Sequence, residues 1–364
     1  MMTPNVQSSA YGHGGNTAEL ARHTGTSLVD WLDLSASLNP LGPPPGLLNR
    51  LRAGLDEVVR YPDHYSRNLC QALASHHETE EAAVLVGNGA TELLFLLTAA
   101  LPHERTLIPV PTYVDYERAS LLAGGTLDFI ELFPEDDFCL DLPRLGQQLR
   151  PGDLVLLGHP NNPTGCALDV SALHAVAAAA PSALFVVDES FADLAGCSTT
   201  LSPDHPNILV LRSLTKTFAI PGLRLGYLVG ATDLVQMCRQ HQPPWSVNAL
   251  ALRAGLMVAD AGEYVRRSRI AVRDWRRDLL ARLAPFPGLH PVPGCANFLL
   301  LHLTDPQLDA VDLYESLLQE PIVIRPCARI RGLGRHWFRV AVSTPENHER
   351  LCSALTARLL PVAP

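Results

Sequence analysis

Seven short, nearly uninterrupted apolar runs limit the fold of this 364-residue chain more than any other feature. They are AAVLV (82–86), TLIPV (106–110), LDFIEL (127–132), DLVLLGHP (153–160), ALFVVDES (183–190), NILVLRS (207–213) and LGYLVG (225–230). Between several of them lie helical patterns: TELLFLLTAAL (91–101), YVDYERASLLA (113–123) and VSALHAVAAAA (170–180). A strand covered on one face alternates apolar and polar residues, whereas a strand covered on both reads as a continuous apolar run. The spacing therefore predicts an α/β fold: an open, mostly parallel sheet with helices on both faces.

The flanks read differently. Residues 1–45, with YGHGGN and LNPLGPPPG, read as an irregular N-terminal arm packing with a small domain. After the Pro-rich break at 242–247 comes a long Arg-rich helical stretch (249–283), then strand patterns NFLLLHL (297–303), PIVIRP (321–326) and HWFRVAVS (336–343). We expect a large domain over 46–250 and a smaller α+β domain over 251–364.

Composition narrows the function. Acidic residues outnumber basic ones 37 to 28, and the net charge of -9 lacks the basic footprint of a nucleic-acid binder. No stretch reaches the roughly 20 apolar residues of a membrane span, and the N-terminus lacks a signal-peptide pattern. Eight dispersed cysteines form no C-x-x-C pair, and fourteen histidines form no H-E-x-x-H. We expect a cytoplasmic protein without a metal centre.

Lysine use is more pointed. The chain holds 27 arginines and one lysine, Lys216, in SLTKTF. Arginine can replace a surface lysine, but not a nucleophilic amine, because guanidinium stays protonated. Strand ends of open α/β sheets hold ligands, so the residues at the end of each run matter most. After AAVLV, Gly87-Asn88-Gly89-Ala90-Thr91 leads into a helix and suits an anion. Asn162 comes after DLVLLGHP, and Asp188 ends ALFVV, where a buried carboxylate needs a partner. Ser213 and Arg224 flank the lysine and suit a phosphate close to an amine.

In this order, GNGATE, PNNPTG, VVDES and SLTKTFAIPGLRLG resemble the motif series of fold-type I pyridoxal 5′-phosphate (PLP) enzymes of the aminotransferase class. The resemblance implies a PLP-binding large domain, with Lys216 bonding the cofactor aldehyde and then moving protons, and Asp188 pairing with the ring nitrogen. Asn162 would meet the ring 3′-oxygen, Tyr113 would stack on the ring, and Gly89, Ala90, Thr91, Ser213 and Arg224 would hold the phosphate. Tyr61 would reach the cofactor of a neighbouring subunit, implying a homodimer with shared active sites. Arg339 would grip a substrate carboxylate.

Within that class, YGHGGN, DLSASLNPLGPPP and the run VIRPCARIRGLGRHWFRVAVST are similar to the branch that decarboxylates phosphorylated threonine for cobalamin biosynthesis. Phe191, three residues after Asp188, stands where many aminotransferases, the histidinol-phosphate branch included, have a tyrosine. The resemblance thus implies a small phosphorylated amino-acid substrate, with His13, Gly14 and Arg325 at its phosphate, and Asn39, Asn162 and Arg339 near its carboxylate. A histidinol-phosphate-type aminotransferase is the alternative.

Overall fold

Alternate residues of the central apolar runs face opposite cores, so those strands leave almost no polar position in their interiors. A computed structural model describes residues 13–202, 204–259 and 261–359. Its strands, in chain order, are β1 (Leu32–Asp33), β2 (Val84–Gly87), β3 (Arg105–Val110), β4 (Thr126–Glu131), β5 (Asp153–Gly158), β6 (Leu184–Asp188), β7 (Ile208–Ser213), β8 (Gly226–Val229), β9 (Leu289–Pro291), β10 (Phe298–Leu303), β11 (Ile322–Val323), β12 (Arg325–Pro326) and β13 (Trp337–Ala341). Seven of them form one sheet, ordered β2-β8-β7-β6-β5-β3-β4. Neighbours from β7 to β4 run parallel, and β8 is antiparallel to both β2 and β7.

Val155, Leu157, Phe185, Val187, Ile208 and Val210 face one apolar core. Their chain neighbours Leu154, Leu156, Val186, Leu209 and Leu211 face another. Helices Arg67–His76, Val170–Ala179 and Ala249–Val258 cover the first face. Helices Ala90–Ala100, Val114–Ala123 and Thr232–His241 cover the second. Asp169 accepts a hydrogen bond from the Ala172 amide and so starts its helix, satisfying one of the free N–H groups there. Phe185 is fully buried on the strand that ends in Asp188. Phe185→Ala is expected to cost about 3–5 kcal/mol of stability, read as a lower urea midpoint.

Three expectations need correction. LDFIEL forms β4, but as the outermost strand, largely solvent-accessible rather than buried. The helical stretch 249–283 is two helices, Ala249–Val258 and Gly262–Leu283. The N-terminal arm is not irregular throughout: Thr17–Thr24 is helical, and β1 pairs in parallel with β11. Leu20, Trp31, Leu32 and Leu34 bury their side chains with Leu279, Leu301, Phe338 and Leu355 in a third core. Short elements with few apolar positions carry little periodic signal, and burial against a distant segment stabilises them. This core backs the antiparallel sheet β12-β13-β10-β9.

Candidate active site

Parallel strands bring their carboxyl ends to one edge, and a cavity of about 340 Å³ opens there. Its lining joins His13, Gly14, Ala90, Thr91, Tyr113, Asn162, Asp188, Ser213, Lys216, Arg224, Arg325 and Arg339, residues spread over more than 320 positions. Residues distant in sequence thus meet in one cavity. Tyr11 and Gly12 of YGHGGN lie outside the described residues.

Lys216 sits in the short helix Leu214–Thr217 that comes directly after β7. Removal from bulk water and the fields of Arg339, Arg224 and Arg325 bring its amine down to about 8. Asp188 ends β6 and accepts hydrogen bonds from the Ser190 amide (2.9 Å) and the Tyr116 hydroxyl (3.0 Å). Burial pushes its carboxyl above the usual range.

Beside them, the helix Ala90–Ala100 points its N-terminus at the cavity. Gly89 precedes it with φ +86, and a Cβ there would lie 2.6 Å from Arg224 Nη2. The Ser213 and Thr215 hydroxyls meet at 2.7 Å on the same side. Free helix N–H groups, two hydroxyls and a guanidinium around a space that a Cβ would fill form an anion cradle.

The opposite wall is cationic. Arg325 and Arg339 are register partners on β12 and β13, and both are buried. Arg339 donates from Nη1 to Asn162 Oδ1 (2.5 Å) and from Nη2 to the Ser35 carbonyl (2.8 Å). Among the described residues its Nε has no hydrogen-bond partner, and its guanidinium lies 4.8 Å from the Phe298 ring centroid. Burial, then the neighbouring Arg325, lowers the Arg339 pKa to about 9. Two like charges held side by side at the cavity wall favour an anionic ligand there. With Asn162 Oδ1 occupied, its amide N–H groups are the donors left for a ligand oxygen.

His13 Nε2 stands 3.6 Å from Asp115 Oδ1, and desolvation lowers its pKa. Gly14 packs so closely that a Cβ would lie 2.2 Å from the Ser35 carbonyl oxygen, which no side chain could tolerate.

Three site expectations fall differently. Asn39 does not line the cavity. Its backbone amide donates to the Lys216 carbonyl (3.0 Å), and its Nδ2 reaches the Thr217 carbonyl (2.8 Å), Tyr264 Oη and Ser268 Oγ. The amide is therefore spent on the last carbonyls of the lysine-bearing turn, not on a substrate. Gly89 also stands behind the lining, making room for Arg224. Tyr61 lies away from this chain's cavity, 81% exposed, its ring tilted against that of Trp245 with centroids 4.7 Å apart.

Sequence reading missed Tyr116, Asp115 and Ser37. Tyr116 lies three residues from Tyr113, a spacing that places both on one helix face and could have found it. Asp115 takes the Tyr113 hydroxyl at 2.8 Å. Ser37 lines the cavity, buried, and its hydroxyl has no hydrogen-bond partner among the described residues.

The residues fit PLP. The cradle suits its phosphate, the buried carboxylate suits a protonated ring nitrogen, and the amine of lowered pKa suits an aldehyde. Among the described residues, no group of three or more His, Cys, Asp or Glu could hold a metal ion, and no helix is long and apolar enough to cross a membrane.

Comparison with known proteins agrees in scale. The family model for aminotransferase class I and II matches residues 29–355. A threonine-phosphate decarboxylase of Salmonella typhimurium is 38% identical over 362 residues, covering 97% of this chain and 98% of that protein. An adenosylcobalamin biosynthesis bifunctional protein CobDQ of Leptospira interrogans is 30% identical over 94% of this chain, which spans 40% of it. Among solved structures, the histidinol-phosphate aminotransferase of Clostridium acetobutylicum superposes with a TM-score of 0.82 at 27% identity, over 90% of this chain and 98% of that one.

Proposed function

The chain belongs to the aminotransferase class I and II family, and from that premise we propose that it is a PLP-dependent carboxy-lyase. It decarboxylates L-threonine O-3-phosphate to (R)-1-amino-2-propanol O-2-phosphate, a step of cobalamin biosynthesis. The 38% identity to a threonine-phosphate decarboxylase across 97% of the chain carries this reading. The site supports it: beyond the cradle beside Arg224, Arg325, Arg339 and His13 supply further cationic or proton-bearing groups for a carboxylate and a second phosphate.

When bound, PLP supplies an electron sink for the bond broken at the substrate Cα. Asp188 would accept a hydrogen bond from the protonated ring nitrogen and keep the proton there, and Tyr116 orients its carboxylate. Asn162 donates to the ring 3′-oxygen, and Tyr113 covers the ring face. Ala90, Thr91, Ser213 and Arg224 would hold the cofactor phosphate, with Gly89 leaving the room that Arg224 occupies. Lys216, with its amine near pKa 8, takes up and releases a proton at Nζ at neutral pH more readily than an exposed lysine. Asn39 holds the turn that aims it. Arg339 binds the substrate carboxylate with its fork-shaped donors. Arg325, His13 and the Gly14 backbone take the substrate phosphate.

The working unit is a homodimer in the cytoplasm, with Tyr61 contributed to the partner's cofactor phosphate. Supporting it, Val58, Val59, Tyr61 and Trp245 expose apolar surface together near this tyrosine.

Carbon dioxide release tests the reaction. O-phospho-L-threonine is expected to yield it in proportion to substrate consumed, with no keto acid added. Turnover only with 2-oxoglutarate would instead establish a histidinol-phosphate-type aminotransferase, the reading favoured by the 0.82 superposition.

A further inference from the structure

Two cysteines 98 residues apart in sequence come together where the large sheet's lobe meets the small one. The Cys197 and Cys295 sulfurs lie 3.6 Å apart, and both residues are partly exposed. Cys197 comes just after the short helix Ala192–Ala195, and Cys295 lies three residues before β10. Neither belongs to a helix or strand.

Their surroundings differ from those of the other thiols. A cavity of about 330 Å³ beside Cys295 is lined also by Arg273, Arg276 and Arg277. Arg276 Nε is buried and has no hydrogen-bond partner among the described residues. The Cys197 contact, then the Arg276 charge, hold the Cys295 thiol below its usual range, while Cys197 keeps its proton. By contrast, burial pushes Cys166 and Cys238 up to about 12. A partly exposed thiol of lowered pKa in a cationic recess, with a second thiol in contact, is the arrangement that thiol–disulfide exchange needs.

We propose that Cys197 and Cys295 are an oxidation site for an anionic low-molecular-weight disulfide, and that their bond ties the two lobes together. The Cys295 thiolate attacks one sulfur of the small disulfide, and one small thiol leaves. Cys197 then gives its proton to solvent and attacks the Cys295 sulfur of the mixed disulfide, and the second small thiol leaves. Two protein thiols are oxidised and one small disulfide is reduced. Closing the pair brings the sulfurs from 3.6 Å to a bond of about 2.05 Å.

The link brackets the cavity wall. Phe191 lines the cavity, and its ring meets that of Phe298 edge-on at 5.1 Å. Phe298 in turn lies beneath Arg339. Cys197 and Cys295 sit just beyond these two rings on their respective segments. This inference is independent of the reaction assigned above, because it concerns thiols outside the active-site lining.

The test uses the full-length protein with oxidised glutathione, then N-ethylmaleimide blocking and digestion without reductant. A cross-linked peptide joining Cys197 to Cys295 is expected, with the loss of two titratable thiols, both reversed by dithiothreitol. In Cys197→Ser, Cys295 is expected to stop at its glutathione adduct. In Cys295→Ser, Cys197 is expected to react more slowly than Cys295 does in Cys197→Ser. A map dominated by Cys139 links, or Cys197→Ser losing as many thiols as the parent, overturns the proposal.

Discussion

Lys216→Ala is expected to lower turnover of O-phospho-L-threonine by about 10³-fold or more, and to abolish covalent retention of PLP. A positioned acid–base group alone contributes roughly 10²–10⁴-fold, and this residue also supplies the amine that bonds the cofactor. The chain makes the experiment unusually clean, because Lys216 is its only lysine. Borohydride treatment of the parent protein with PLP should place one cofactor label on the peptide containing position 216. No ε-amine remains in the variant to take a misplaced label. Lys216→Arg should fail equally, since it restores charge but not a deprotonatable amine. A variant that kept its turnover, or a parent protein labelled elsewhere, would remove the basis of the assigned chemistry.

The second large effect concerns Arg339. Arg339→Ala should raise KM for the phosphorylated substrate by about 30-fold to 10³-fold, while PLP remains attached to Lys216. Removing one member of a buried, hydrogen-bonded charge pair costs about 2–5 kcal/mol, and each 1.4 kcal/mol is a factor of ten. Arg339→Lys tests geometry rather than charge. A lysine there cannot donate to Asn162 and Ser35 at once while presenting a planar fork to a carboxylate. It should recover only part of the loss. A KM that did not move in either variant would sever this residue from the substrate carboxylate.

The legibility of the site tracked the chemistry of each residue. Lys216 stood out because arginine had replaced lysine everywhere else, and Asp188 because it ended an otherwise apolar strand. The Gly89 turn and Asn162 were ambiguous singly and informative only in order. Arg325 and Arg339 were legible through resemblance alone. An arginine in a strand looks the same whether it faces solvent or a cavity, until β12 and β13 are seen in register. Asn39 was misassigned for a related reason. Its type and place suited a ligand, but its side chain meets the carbonyl oxygen of Thr217, 178 positions away, and its backbone amide that of Lys216. Nothing near residue 39 announces them.

The sheet was read correctly where strands are covered on both faces, because two apolar environments leave no polar position. β4 escaped that logic as an edge, and the helix at Thr17–Thr24 escaped it because the core that stabilises it is assembled from the far end of the chain.

By itself the sequence determined the strands and helices of the large sheet, the motif order and the single lysine proposed here as the reactive amine. These depend on residue type and on neighbours a few positions away. Only the tertiary structure decided that Tyr116 meets Asp188, that Asn39 holds the lysine turn and that Cys197 touches Cys295. Such contacts form when distant segments are buried against one another, and hydrophobic burial is non-directional. It draws segments together without recording in either one which polar group the other will present.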